Sequence, residues 1–515
     1  MSAATIYQSY YTKSEPIINY MTGMLNIQPQ DSIWEPCGGD GVFVDKILEQ
    51  SPFSNICIYE YNPKAVSTLR KKYQGIHNIS IKQTDTLLDD IVLSKKELYD
   101  KIIGNPPYGA RHTEEQKIAL SRSYPHLYTK ESYTLFLYAC IECLKEGGEL
   151  SFIIPDTFLS LHRHLSIRKY ILFNTTIREI TLFPSSFFPG INFGYANLCI
   201  ITLKKVNNID ANLSNKIVIR TGFSNVDDLP KQSSGSRRLI SQDDVLNSLD
   251  SAFLFEESDR ILEIINSGSI CRIGDIADCV TGFYSGNDKL YLKPLNETCK
   301  NAKKYENVNI DEICRHQLTL EEAINGISSN DNFVPIVKGG NKKYIKPNEW
   351  FMNWSTSAIK EFRRSPKCRF QNSNYYFSEG IAIPMVRSKH LTAALLENRL
   401  FDQSIVGVFP KDKSFTLYLL AFFNSSICSR LINAINPSTN NSANYIKKIP
   451  FIIPSNSIKE EVDDIVKKII KFEKQGNSDI YSYEKELNNI FETIYAQQID
   501  NIHIYKRPVQ LCLYD

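Results

Sequence analysis

Four short apolar runs near the amino terminus each stop on a polar residue, and stretches of helical pattern separate them. The runs are Ile33-Trp34, Ile56–Tyr59, Ile79–Lys82 and Lys101–Ile103; they lead to Glu35, Glu60, Asp85 and Asn105. Strand and helix in that rhythm build βαβ units, whose strands run parallel beneath helices on both faces. In such doubly wound sheets ligands gather at the carboxyl ends of the strands. One acid at a strand end is ordinarily a cap or turn residue. Four polar ends in succession place a row of acceptors along one rim of one sheet.

The first strand end opens a glycine-rich turn. Residues 35–43 read Glu-Pro-Cys-Gly-Gly-Asp-Gly-Val-Phe, and a helix is predicted over Val42–Glu49. Gly38, Gly39 and Gly41 permit a tight strand-to-helix turn and close approach of backbone to a ligand, as in nucleotide-binding units. The spacing is not Gly-x-Gly-x-x-Gly, and no Lys-Ser/Thr pair follows to hold phosphates. Glu60 stands where an acid about 20 residues on can hold ribose hydroxyls. Asp85 can accept from an adenine amino group.

The fourth strand end is Asn105-Pro106-Pro107-Tyr108. Proline fixes φ and lacks an N–H, so the strand must stop there, and the residue before it is held extended. The turn offers one amide side chain, backbone carbonyls and one aromatic face. That set suits a planar ring bearing an amino group: carbonyl oxygens accept from the NH2, and the tyrosine covers the π-face.

With these motifs in this order, the chain resembles the gamma-class, TaqI-type adenine-N6 DNA methyltransferases of restriction–modification systems. Tyr11-Thr12-Lys13-Ser14-Glu15-Pro16-Ile17-Ile18 is similar to the family's amino-terminal cofactor lid. Glu35 to Phe43 resembles the S-adenosylmethionine (SAM) loop, and Glu60 and Asp85 match the ribose and adenine carboxylates. Tyr133–Phe136, Gly147–Pro155 and Phe187–Phe193 also follow the family pattern.

The resemblance implies a Rossmann-like, SAM-dependent catalytic domain that flips an adenine out of double-stranded DNA. It implies SAM contacts from Tyr11, Thr12, Glu35, Pro36, Gly38, Gly41, Phe43, Glu60, Asp85 and Asn105. Asn105, Pro106, Pro107 and Tyr108 become the catalytic residues. Phe188 becomes the second aromatic against the base, with Phe187 and Phe193 as rivals. Lys117, Arg111 and His112, just after the tetrapeptide, are candidates to steady its backbone, or plain loop charges. A monomer acting beside a separately encoded restriction endonuclease is expected, with no room ahead of the lid for a nuclease domain. Asn-Pro-Pro-Tyr also occurs in methyltransferases of RNA and of protein glutamine, so those substrates form the alternative.

Composition excludes other classes. With 42% hydrophobic and 23% charged residues the chain reads as globular, and 515 residues exceed one core. The start, Met-Ser-Ala-Ala-Thr, lacks a signal layout, and no run of 18 apolar residues occurs, which points to the cytoplasm and no membrane. Twelve cysteines lack framework or zinc-ligand spacing, so thiols and no metal are expected. Cys140 and Cys143 fall on the predicted helix Leu135–Leu144 and read as packing thiols. Net charge is only +2, so any nucleic-acid surface must be local.

Such a surface is suggested farther on. From Lys338 to Lys389 eleven Lys and Arg face three Glu, interleaved with Tyr344, Trp350, Phe351, Trp354, Phe370, Tyr375, Tyr376 and Phe377. Basic residues among aromatics suit phosphate contact with stacking, or a solvated basic face over an aromatic core. The expected organisation is a catalytic α/β domain over 1–225, a polar linker over 226–249, a mixed α+β DNA target-recognition domain over 250–455, and C-terminal helices over 456–515.

Overall fold

The computed structural model describes residues 12–108, 112–187, 197–254, 259–386, 390–436, 440–477 and 479–499. They fall into two compact units that divide at residues 255/256.

The first unit is built on a nine-stranded sheet: β1 (Ser32–Glu35), β2 (Asn55–Glu60), β3 (Ile79–Gln83), β4 (Tyr99–Gly104), β5 (Leu144–Pro155), β6 (Thr175–Phe183), β7 (Leu198–Lys205), β8 (Lys216–Thr221) and β9 (Ser236–Ser241). Their order is β3-β2-β1-β4-β5-β7-β6-β8-β9. β3 through β5 pair parallel, and β7 inserts antiparallel between β5 and β6. After β3 the chain crosses to the other side of β1, so β1 and β4 flank a topological switch point, the place where open α/β sheets bind ligands. This is the α/β sheet that the strand rhythm predicts.

The central strands read as unbroken apolar runs because both sheet faces are covered. Trp34 of β1 is fully buried, stacked on Tyr99 with centroids 4.9 Å apart and meeting Tyr59 edge-on at 5.2 Å. Helix Ser132–Cys143 buries nearly every side chain, Cys140 and Cys143 included, and burial pushes the Cys143 thiol up to about 12.

The stretch expected to be a linker, 226–249, belongs to this unit. Ser236–Ser241 pairs along its whole length with β8, and helix Gln242–Leu246 follows. The buried Gln242 side chain accepts from Ile177 N at 2.7 Å and donates to the Leu172 and Thr175 carbonyls. Farther on, the fully buried Arg168 guanidinium donates to the carbonyls of Phe158, Leu161, Asp250 and Ser251, fastening the last described turn of the unit to its body.

The second unit holds two four-stranded sheets. One is ordered Ala277–Thr281, Ile405–Pro410, Gly380–Pro384, Ala394–Leu396; the other Leu292–Pro294, Trp350–Asn353, Phe333–Val337, Leu400–Phe401. Helices Thr416–Phe423, Ser426–Ile435, Asn456–Lys474 and Tyr481–Ile499 pack beside them, with Tyr495 stacked on Phe422 at 5.9 Å. Among the described residues no single helix is long and apolar enough to cross a membrane.

The basic and aromatic stretch resolves into two parts here. Its aromatics are core: Trp350, Phe351, Trp354, Tyr344 and Tyr376 are buried, and Trp354 packs against Phe362, Phe370, Tyr376 and Phe377. They are therefore not a stacking platform for bases. Several cations are also spent internally: Lys338 pairs with Asp288 and Asp402, and Lys343 with Glu484. Arg363 donates to the Ile324 carbonyl at 2.6 Å, while Arg364 is exposed beside Glu361. Arg387 and Lys389 lie outside the described residues.

Candidate active site at the carboxyl ends of β1, β2 and β4

The site grows from three strand ends that the sheet order makes neighbours. β1 delivers Glu35 and runs into the glycine turn. Gly38 N donates to Tyr59 O at 2.9 Å, and Gly41 N to Gly38 O at 2.8 Å. Gly39 and Gly41 take left-handed backbone (φ 50° and 72°), where a side chain would be strained. At Gly41 a Cβ would also meet the Tyr73 hydroxyl at 2.4 Å. That hydroxyl lies 2.7 Å from the Gly41 carbonyl and 2.9 Å from the Asp45 carboxylate, its one proton within reach of both acceptors, and Lys72 reaches the Asp40 carbonyl at 2.8 Å. The turn is thus clamped from outside by helix Pro63–Lys72 and the residue after it. Phe43 anchors the following helix, Val42–Gln50, in the core.

Glu60, at the end of β2, is largely buried and braces the turn. Its carboxylate accepts from Gly39 N at 2.8 Å and from Asn62 N at 2.7 Å. A carboxylate has about four lone-pair sites, so these two bonds leave capacity for hydroxyl donors. Asp85 caps the short turn Thr86–Leu88 through Leu87 N and accepts from the Gln116 side chain at 3.2 Å. Thr86 ties that turn to the site by donating to the Pro36 carbonyl at 2.6 Å.

Glu35 is the electrostatic anomaly. It is 2% exposed, and its Oε2 has no hydrogen-bond partner among the described residues. Burial, then the nearby Glu60 and Asp45 carboxylates, push its carboxyl well above the ordinary range, against the weaker pull of Lys72. Desolvation likewise raises the adjacent Cys37 thiol.

Asn105 lies directly across from this turn. β1 and β4 pair at Trp34–Ile102, and a Cβ placed on Gly104 would lie 3.4 Å from both Cys37 Sγ and Pro36 Cδ. The Asn105 amide nitrogen donates to Thr12 Oγ1 at 3.1 Å. Thr12 is buried just ahead of helix Glu15–Gly23, so the amino-terminal segment orients the amide and leaves its oxygen as the acceptor end. Pro106 is buried and Pro107 half-buried. Tyr108 is 7% exposed, edge-on to Tyr133 at 6.5 Å, with its hydroxyl 3.5 Å from the Ile153 carbonyl.

Behind Tyr108 lies a polar network with no sequence signal. Tyr133 bonds Thr157 at 2.8 Å and the buried His164 at 3.3 Å, and His164 bonds Glu131 at 2.9 Å. Burial lowers His164 despite that carboxylate, while His164 and Arg163 hold Glu131 below its usual range against burial.

The structure therefore brings Thr12, Glu35, Pro36, Gly38, Gly41, Glu60, Asp85 and Asn105 to one rim. His112 bonds Ser132 at 3.0 Å, and Lys117 makes an exposed pair with Glu114. Phe187 is half-buried and stacked on Phe183 at 6.2 Å. Tyr11, Arg111, Phe188 and Phe193 lie outside the described residues. Tyr73, Asp45 and Thr86 are additions that sequence reading misses. Among the described residues no group of His, Cys, Asp and Glu is placed to hold a metal ion.

Glu60→Ala removes the brace from Gly39 and Asn62 and one acceptor from the rim. We expect SAM affinity to fall roughly tenfold, about 1.4 kcal/mol, with affinity for DNA unchanged. Calorimetric titration of SAM checks this; an unaltered affinity refutes a cofactor role for Glu60.

Residues 45–188 match the family described as Eco57I restriction-modification methylase. The type II methyltransferase M.HindII of Haemophilus influenzae is 29% identical over 318 residues, covering 56% of this chain and 58% of that protein. Type II methyltransferase M.HincII, also of Haemophilus influenzae, is 32% identical over 213 residues, 40% of this chain and 39% of that protein. The chain thus spans between about two fifths and three fifths of these relatives' lengths. Two solved structures share the fold. The DrdV–DNA complex has a TM-score of 0.56 at 13% identity, over 91% of this chain and 57% of that one. The type ISP restriction-modification enzyme LlaBIII bound to DNA has 0.55 at 12%, over 90% and 39%.

Proposed function

We propose that this chain, whose residues 45–188 match the Eco57I restriction-modification methylase family, is a site-specific DNA methyltransferase that moves the methyl group of SAM to N6 of an adenine flipped out of duplex DNA. The observation that carries the reading is the Asn105-Pro106-Pro107-Tyr108 turn beside the glycine turn at the switch point, with the Asn105 amide oriented by Thr12. A set of acceptors for an amino group then sits next to a cradle for a nucleoside.

The residues fit the cofactor. Glu35 is a buried carboxylate with one oxygen free of partners among the described residues, which is the complement of a cationic amine such as SAM carries. Glu60 braces the glycine turn through Gly39 N and retains acceptor capacity for ribose hydroxyls. Asp85, fixed by Gln116 and its cap, supplies an acceptor for the adenine amino group of the cofactor. When bound, SAM supplies an electrophilic methyl on a sulfonium that departs as a neutral thioether.

The protein's task is then positioning and polarisation. The N6 lone pair of adenine is delocalised into the ring. The Asn105 oxygen and the Pro106 carbonyl accept hydrogen bonds from the two N6 hydrogens, which raises sp3 character at nitrogen and frees the lone pair for the methyl; as the N–C bond forms and the S–C bond breaks, the nitrogen gives up one of those hydrogens as a proton to water. Tyr108, backed by Tyr133, closes one face of the ring. A base within a duplex cannot reach such a turn, so it must leave the stack. The second unit supplies DNA recognition in this reading, residues 256–455 forming the recognition domain and helices Asn456–Lys474 and Tyr481–Ile499 following it. A separately encoded endonuclease acting on the same DNA site completes the system.

Incubation with methyl-labelled SAM and DNA, RNA or protein tests the reading. Label in DNA, recovered as N6-methyladenine after digestion to nucleosides, is the expected result. Label in RNA or on protein glutamine alone overturns it.

A further inference from the structure

The second unit contains a cavity of about 760 Å³, large enough for a nucleotide-sized group. Arg315, His316, Lys346, Phe351, Phe377 and Arg399 are among its lining residues. Two of the cations are held in an unusual way. Arg399 is 8% exposed and donates to the carbonyls of Lys346 at 2.6 Å and Leu395 at 3.1 Å and to Asn348 Oδ1 at 3.2 Å. The Lys346 ammonium donates to the Lys338 carbonyl. All of these acceptors are neutral. Glu349 and Glu397 act on the two cations only through space. Elsewhere in the same unit Lys293, Lys338 and Lys343 each meet a carboxylate at 3.2 Å or less. Buried charge is ordinarily paired. Here Arg315, Lys346 and Arg399 converge on one cavity whose lining includes a single carboxylate, Glu397, and neither Lys346 nor Arg399 is hydrogen-bonded to it, which leaves the cavity with an excess of positive charge. Its wall also includes Phe377 and Asn398, both at positive φ (60° and 48°), a backbone state that a phenylalanine seldom adopts.

We infer that this cavity seats one backbone phosphate of DNA between Lys346 and Arg399. The inference rests on the DNA-methyltransferase reading above and adds to it a phosphate seat in the second unit. It differs from a surface patch in depth: a partly desolvated ammonium interacts with phosphate more strongly than an exposed one.

Burial pushes the Lys346 amine down to about 8, helped by Arg399 and Lys342 and opposed by Glu349. Arg315, His316 and Glu397 also face the cavity, and the Lys338 ammonium is taken up by Asp288 and Asp402. A lysine of lowered pKa is cationic below that value and loses its charge above it. The Lys346 contribution to phosphate binding is therefore present at pH 7 and fades toward pH 9.

The test uses the full chain, a fluorescent duplex probe of mixed sequence, and affinity measured at several salt concentrations and at pH 7 and 9. Each lost phosphate contact lowers the magnitude of the log–log salt slope by about 0.9. Lys346→Gln is expected to lose that amount and the decline in affinity between pH 7 and 9. Lys346→Arg, whose charge does not titrate in this range, should keep the slope and lose the decline. An unchanged slope in Lys346→Gln overturns the seat, as does protection of the wild type by inorganic phosphate that requires Lys346 while the DNA slope stays constant. Wild-type methylation of DNA, run in parallel, separates the two levels. If DNA is methylated and the slope does not move, the seat alone is wrong; if DNA is neither bound nor methylated, the underlying reading fails as well.

Discussion

Asn105→Ala is expected to lower turnover roughly 100- to 1,000-fold, the scale seen when a single transition-state hydrogen bond is deleted from an active site, with KM for SAM nearly unchanged. The reason lies in when the bond matters. In the ground state the adenine N6 hydrogens are weak donors and the lost acceptor costs little. As the N–CH3 bond forms, positive charge builds on nitrogen, its hydrogens become strong donors, and the missing oxygen is felt in full. The signature is a fall in kcat and kcat/KM together. Asn105→Asp refines the test. It retains an acceptor but cannot donate to Thr12 as the wild-type amide does at 3.1 Å, so its orientation is lost while its chemistry is kept. Activity between wild type and Asn105→Ala is expected. Wild-type turnover in Asn105→Ala, measured in single-turnover methylation of DNA, rejects the assigned role.

Parts of this site can be read from the chain because burial on both faces forces β1, β2, β4 and β5 into continuous apolar runs, and each run must end where polarity begins. Glu35, Glu60 and Asn105 are legible for that reason. The first unit's far edge is not. Ser236–Ser241 reads Ser-Arg-Arg-Leu-Ile-Ser, an edge strand exposed at Ser236, Arg237 and Leu239, and such a strand carries the same polar composition as a linker. The clamp on the glycine turn is hidden for another reason. Tyr73 and Thr86 reach Gly41 and Pro36 across 32 and 50 residues, and each tie is one hydroxyl with no periodicity around it. The aromatics between Tyr344 and Phe377 show the limit of composition: the same residue types build a stacking surface or a core, and only their pairing around Trp354 decides for core.

Glu35→Gln is expected to separate binding from stability in opposite directions. In the free protein Glu35 is buried, one of its oxygens has no partner among the described residues, and burial with Glu60 and Asp45 raises its carboxyl well above the ordinary range. A carboxyl whose pKa is higher in the folded state than in the unfolded chain stabilises the fold below the unfolded value of about 4.5. That contribution is lost as pH rises toward the folded value, because the folded state then holds a proton that the unfolded chain gives up. At neutral pH the native residue therefore lowers the stability of the free protein. The glutamine is neutral at every pH, so the variant should melt at a higher temperature than wild type near pH 7, and the gap should close toward pH 4. Binding moves the other way. A charge-assisted bond from a cationic amine to a carboxylate is worth about 1.5–3 kcal/mol, so SAM affinity should fall ten- to a hundredfold, and added SAM should stabilise the variant far less than wild type. Thermal melts from pH 4 to 8, with and without SAM, read both effects in one experiment. A variant that melts with wild type at every pH and gains as much from SAM would show that Glu35 meets neither an unmatched burial nor the cofactor's amine.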